Sequence, residues 1–195
     1  MINKSQFKSL VAIHTKIIAS LLKLASSDFD WQIWSEFKLK NPNIEDMISP
    51  GVMIKPFEIL DVDKPLIIIN DEMLTEPFQV ITVLSHELRH VWQYYENKQK
   101  WNRQLALRPI ELGRKKDEPL SSSFVTKHME LEIEQDAYAF QLAYLRMVLR
   151  NDKIKMESSF DEHVDNSFYE NVNKIYRTYI AQFNKTIKKL GLTFV

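Results

Sequence analysis

The sequence predicts an α+β fold in which helices dominate and one small sheet supplies the strands. Apolar residues recur every three or four positions along most of the chain, a pattern typical of helices with one buried face. Two short runs indicate strands instead, GVMIKPFEIL at 51–60 and PLIIIN at 65–70. Only three glycines occur among 195 residues, and no linker or repeat is evident. We therefore predict a single domain over 1–195.

An amphipathic helix is predicted near the amino terminus. His14, Lys16 and Lys23 interrupt its apolar residues, so the segment does not read as a targeting peptide. It also falls short of the roughly eighteen uninterrupted apolar residues that a membrane span requires. We expect a cytoplasmic protein without membrane association. The apolar residues of this helix are Phe7, Leu10, Val11, Ile17, Ile18, Leu21, Leu22 and Leu24.

The two strand-like runs are predicted to pair as a small sheet. The segment 61–64 between them has the acids and the length of a hairpin loop. Pro56 lacks a backbone donor, which places the first run at a sheet edge. A helix is predicted next, from about Glu76 to Asn97, because Thr75 and Pro77 are typical of a helix start.

This predicted helix contains the most informative motif of the chain, HELRH at 86–90. A spacing of four puts His86 and His90 on one face, where their nitrogens can converge on one Zn²⁺. Glu87 is then displaced toward a metal-bound water, the position of a general base. The histidines lie beside the apolar face, so we expect them to be partly buried. That face comprises Phe78, Ile81, Leu84, Ser85, Leu88, Trp92 and Tyr95.

Two histidines leave a zinc ion under-coordinated, and a catalytic site needs a third protein ligand and one open position. The acidic run MELEIEQDAYA at 129–139 offers it. Glu132 and Asp136 lie four apart on a predicted second helix, and Ala137 and Ala139 permit close helix packing. The plain alternatives are a solvent-facing histidine helix that binds nothing and a solvated acidic helix face.

Together these motifs resemble the gluzincin class of zinc metallopeptidases, in which an HExxH helix is followed by a helix carrying Glu-x-x-x-Asp. The resemblance covers 65–143 and implies a zincin-like, minigluzincin fold with the small sheet beside the metal-binding helix. It implies that His86, His90 and Glu132 bind zinc and that Glu87 is the general base and acid. Asp136 would orient one ligand histidine through its ring N–H. An upstream edge strand would bind extended substrate.

Other residues of the acidic run compete for the third position. Glu130 and Glu134 would point roughly 160° to 200° away from Glu132, toward solvent or other partners. Glu134 nevertheless stays an alternative ligand. His128 lies one turn before Glu132 and is either a ligand or a hydrogen-bond donor to a tetrahedral intermediate. The candidates for stabilising an oxyanion are His128, Tyr94, Tyr138 and Tyr144.

The remaining stretches are less informative. Residues 101–127 form the least regular part and are read either as a wall of the cleft or as a plain connection. Capping-box spacing at 159–162 predicts one long carboxy-terminal helix that ends near Gly191. His163 is read as a surface or core-edge residue. The buried face of this helix is predicted to comprise Phe160, Val164, Phe168, Val172, Ile175, Tyr179 and Phe183.

Composition limits the classes of function and the kinds of metal ligand that this chain can have. The net charge is zero, which argues against a general nucleic-acid binder, and the absence of cysteine leaves only His, Asp and Glu as metal ligands. We expect a zinc-dependent metallopeptidase, a hydrolase that cleaves peptide bonds through a zinc-bound water activated by Glu87. Its partner would be a peptide or protein substrate, drawn from a narrow set of intracellular proteins. The alternative is a catalytically silent binding or regulatory protein on a zincin scaffold.

Overall fold

The computed structural model describes residues 2–44, 47, 49–56, 63–106, 127–151, 154 and 166–190. The chain forms two compact units, Met1–Trp92 and Gln93–Val195, and the boundary falls within one continuous helix, α3. As predicted, the fold is α+β and mostly helical. Its elements are α1 (Lys4–Leu22), β1 (Asp30–Ile33), α2 (Trp34–Lys40), β2 (Gly51–Ile54), β3 (Leu66–Ile69), α3 (Pro77–Glu96), α4 (Lys98–Ala106), α5 (Glu132–Leu149) and α6 (Asn166–Leu190).

Helix α1 is the predicted amphipathic helix of the first unit. Asn3 and Gln6 form a reciprocal capping box, in which each side-chain carbonyl accepts the other residue's backbone N–H. The helix ends at Lys23 in the left-handed conformation, with φ at 57°. Its buried residues are Phe7, Val11, His14, Thr15, Ile18, Ala19 and Leu22. No helix in the described part of the chain is long and apolar enough to cross a membrane.

Within the described residues the sheet has three strands, in the order β1-β3-β2. The predicted pairing of the two apolar runs is confirmed, since β2 lies antiparallel to β3 with Gly51 opposite Ile69. Among the strands that the structure describes, β2 lies at the sheet edge, as predicted. Strand β1, which was not predicted, pairs parallel to β3 and leads directly into α2. Residues 57–62, which include the end of the first run and half of the expected loop, lie outside the described residues.

Helix α3 agrees closely with the predicted helix at 76–97. The two residues that precede the helix, Thr75 and Glu76, donate their backbone N–H groups to Gln79 Oε1 in its first turn, at 3.1 Å each. The middle of the helix is buried, but the two ends of the predicted apolar face are not. Phe78 is 44% exposed and Tyr95 49%, because apolar spacing marks a helix face without fixing how far along the helix it stays covered.

The second unit begins with the last turn of α3 and contains α4, α5 and α6. The expectation that irregular chain begins at Trp101 was wrong, because Trp101 is buried within α4. Residues 107–126 lie outside the described residues. Helices α5 and α6 pack together, with Phe140 in edge-to-face contact with the rings of Tyr179 and Phe183.

Helix α6 is part of the predicted carboxy-terminal helix. Its predicted apolar face is confirmed at Phe168, Val172, Tyr179 and Phe183, all of which are buried, while Ile175 is only half-buried. The predicted helix start and His163 fall in 155–165, and Gly191 follows the last described residue, so all of these lie outside the described residues.

Candidate metal centre

His86 and His90 lie together on α3, as their spacing predicts. Their Nε2 atoms are 3.0 Å apart, and their rings meet edge to face with centroids 4.6 Å apart. Two nitrogens that bind one tetrahedral zinc ion lie about 3.3 Å apart, so a shift of a few tenths of an ångström accommodates the ion. His90 is buried and His86 is half-buried, as expected for ligands beside the apolar face.

Glu87 is buried beside the edge strand of the sheet. A methyl group placed on Gly51, the first residue of β2, would lie 3.2 Å from Glu87 Cγ and 3.4 Å from Glu87 Oε1. The same methyl group would come closer than 3.0 Å to Val83 Cγ1. Glycine at this position therefore lets the backbone of β2 approach the helix at the level of the Glu87 carboxylate.

Glu132 and Glu134 differ sharply in their surroundings. Glu132 is the first residue of α5, its side chain is 65% exposed, and its Oε2 lies 2.6 Å from Lys100 Nζ. The Glu134 side chain is 3% exposed, with Oε2 3.4 Å from His128 Nε2. Of the two expected directions for Glu134, toward solvent or toward another partner, the structure shows the second. Residues two apart on a helix point about 200° away from each other, so burying Glu134 turns Glu132 outward.

Asp136 accepts hydrogen bonds from two other helices of the second unit. Gln93 Nε2, in the last turn of α3, donates to Asp136 Oδ2 at 2.7 Å and also to the backbone oxygen of Ile133 at 2.9 Å. The Tyr179 hydroxyl of α6 donates to Asp136 Oδ1. The sequence carried no expectation for Gln93, and Tyr179 was predicted only to lie on the buried face of the carboxy-terminal helix. A polar amide three residues after His90, on the same helix face, was the available signal for Gln93.

The proposed oxyanion candidates differ in accessibility. Tyr144 is fully buried and stacks on Phe140, and desolvation raises the pKa of its hydroxyl. Its hydroxyl is therefore shielded from any substrate. Tyr94 is also buried. His128 and Tyr138 are half-buried, so both retain some exposed surface.

No protein family, curated protein or solved structure matches this chain. The ligand role of Glu132 and the histidine-orienting role of Asp136 both stay predictions.

Proposed function

We propose that the chain is a zinc metallopeptidase of the gluzincin type, in which α3 supplies two zinc ligands and the general base. The observation that carries the proposal is the pair of imidazole nitrogens 3.0 Å apart on α3, in a helix turn that also carries the buried side chain of Glu87. Buried polar groups are costly unless they pair or bind an ion. One imidazole donating to the other would give the same spacing, so metal affinity is the property to measure.

For the third ligand we prefer Glu134 to Glu132. Glu134 is buried, whereas Glu132 is exposed and already pairs with Lys100. In this proposal a carboxylate oxygen of Glu134 completes the ligand set begun by the imidazole nitrogens of His86 and His90. Two imidazole nitrogens and one carboxylate oxygen are the ligand set that catalytic zinc has in several peptidases. The residues present therefore fit zinc.

Zinc, when bound, supplies a Lewis acid that polarises a peptide carbonyl and makes a water molecule more acidic. The Glu87 carboxylate takes a proton from the attacking water as the water oxygen bonds to the carbonyl carbon. Glu87 then gives that proton to the amide nitrogen as the C–N bond breaks. The products are a carboxylic acid and an amine. The Glu87 side chain is buried where α3 meets β2, so its carboxylate is kept away from bulk water.

Strand β2 is suited to holding the substrate. It pairs with β3 on one side and is the last strand in the sheet order, so its other side has no strand neighbour among the described residues. An extended peptide can add to such an edge through backbone hydrogen bonds, which read little of its sequence. The substrate class we propose is therefore an extended segment of a peptide or protein.

The Glu87→Gln variant tests the proposed mechanism. The amide keeps the size of the side chain but cannot accept the proton, so we expect zinc content to be unchanged and peptide hydrolysis to fall by about 10²- to 10⁴-fold. The matched control is Glu132→Gln, which alters an exposed acid and should retain full rate. A Glu87→Gln protein with unchanged hydrolysis contradicts the mechanism. Zinc binding without cleavage of any peptide in a broad panel would favour a silent binding protein.

A further inference from the structure

The side-chain amide of Gln93 joins the last turn of α3 to the first two turns of α5. It is buried, and its Nε2 donates both to the Ile133 carbonyl and to the Asp136 carboxylate. Both partners are acceptors only, so the NH₂ end of the amide must face them, and both of its protons are used. The bond to Asp136 is charge-assisted and therefore the stronger of the two.

These two bonds fix α5 in two respects. Ile133 and Asp136 are three residues apart, so they share a helix face and are separated by about 4.5 Å along the helix axis. Holding both sets the axial position of α5 and its rotation about its own axis. A rotation by one residue, about 100°, would carry both acceptors away from the amide. Tyr179 holds the other oxygen of Asp136 from α6.

The rotation of α5 decides which acid faces inward. Glu134 lies between the two anchored residues in the sequence, and Glu132 points about 200° away from it. Gln93 itself follows His90 by three residues on the same continuous helix. The helix that carries the histidines therefore also carries the group that orients α5.

We propose that Gln93 is a positioning residue whose amide fixes the rotation of α5 at which Glu134, and not Glu132, serves as the acidic zinc ligand. This inference rests on the proposed metal site. The competing explanation is that apolar packing alone, through Ile133, Ala137 and Phe140, orients α5. Gln93 would then contribute to stability but not to zinc affinity.

The test is the zinc affinity of Gln93→Met, measured by competition with a chelator and with Zn²⁺ as the only ligand. Methionine has nearly the same length and no donor, so the core stays filled. We expect zinc affinity to fall about 10- to 100-fold, as is usual when a residue that orients a ligand is lost. The matched control is Gln141→Met, which replaces a buried amide two turns after Glu134 on the same face of α5 and should bind zinc normally.

A double variant separates positioning from simple stabilisation. If Gln93 acts through Glu134, then Gln93→Met combined with Glu134→Gln binds zinc no more weakly than Glu134→Gln alone. The visible absorption of Co²⁺-loaded protein should change in the same way in Gln93→Met and Glu134→Gln. Unchanged zinc affinity in Gln93→Met, or losses that add in the double variant, would overturn the inference while leaving the proposed function intact.

Two further outcomes are also decisive. If Gln93→Met does not fold, Gln93→Asn takes its place in the test. The asparagine side chain is shorter by one methylene and cannot reach both acceptors, so we expect the same loss of zinc affinity. Wild-type protein that binds no zinc overturns the proposed function and this inference together.

Discussion

Gly51 sets how closely the edge strand β2 approaches α3, and Gly51→Ala tests that contact. The added methyl group would lie closer than 3.0 Å to Val83 Cγ1. Carbon atoms pack best at about 3.5–4.0 Å, so the overlap is at least roughly half an ångström. Val83 cannot easily turn away, because a β-branched side chain in a helix has one strongly preferred rotamer. The strand backbone or the valine must therefore move.

The expected cost follows from these contacts. Overpacking of this kind costs about 1–3 kcal/mol, and replacing glycine by alanine returns about 0.4–1 kcal/mol through the unfolded chain. We expect a net loss of about 1–2 kcal/mol in the free energy of unfolding. For a chain of this size that lowers Tm by about 2–8 °C.

A double-mutant cycle in urea denaturation measures the contact directly. Val83→Ala removes the methyl groups that the new alanine meets, so Gly51→Ala should cost less than about 0.5 kcal/mol in that background. The contacts of the new methyl group with Glu87 Cγ at 3.2 Å and with Glu87 Oε1 at 3.4 Å remain in the double variant. We therefore expect stability to recover while peptide hydrolysis stays impaired. A fully stable Gly51→Ala protein, or strictly additive losses, would refute the close approach of β2 to α3.

Other predictions concern the ligand, one buried histidine and one helix cap. Glu134→Gln should weaken zinc binding at least about 10-fold in chelator competition while Glu132→Gln leaves it unchanged; the reverse order would restore Glu132 as the ligand. Burial lowers the pKa of His14 below 6.5. The unfolded chain therefore takes up a proton near pH 6.5 that the folded chain refuses, and stability falls as pH drops below that value. Between pH 7.5 and 5.5 the free energy of unfolding should fall less in His14→Gln than in the wild type. The two slopes should differ by at most about 1.4 kcal/mol per pH unit, and equal slopes would contradict the prediction. Asn3→Ala removes the cap of α1 and should cost about 1 kcal/mol in urea denaturation, whereas loss of the exposed Ser5 hydroxyl in Ser5→Ala should cost little.

Local patterns in the sequence predicted the helix of the histidines and the antiparallel strand pair. For α3 the information is contained in about twenty consecutive residues, and the HELRH spacing brings His86 and His90 together within that helix alone. Pro56 and the apolar run at 65–70 likewise indicated an edge strand beside a buried one. These features are local, so periodicity and spacing suffice to predict them.

Features that depend on distant residues could not be predicted in this way. Strand β1 has only four residues, and it is defined by parallel pairing with β3, more than thirty positions away. The rotation of α5 is another case, because both Glu132 and Glu134 occur in an acidic run with nearly equal local patterns. The bonds from Gln93 and Tyr179 that accompany the observed rotation come from other helices.

The most direct test of the account is the zinc content of purified, untagged protein after reconstitution, measured by elemental analysis with His86→Ala and Glu132→Gln in parallel. We predict close to one zinc ion per wild-type chain, little or none in His86→Ala, and a wild-type content in Glu132→Gln. A wild-type chain that takes up no zinc, or a His86→Ala chain that retains it, would contradict the proposed metal centre.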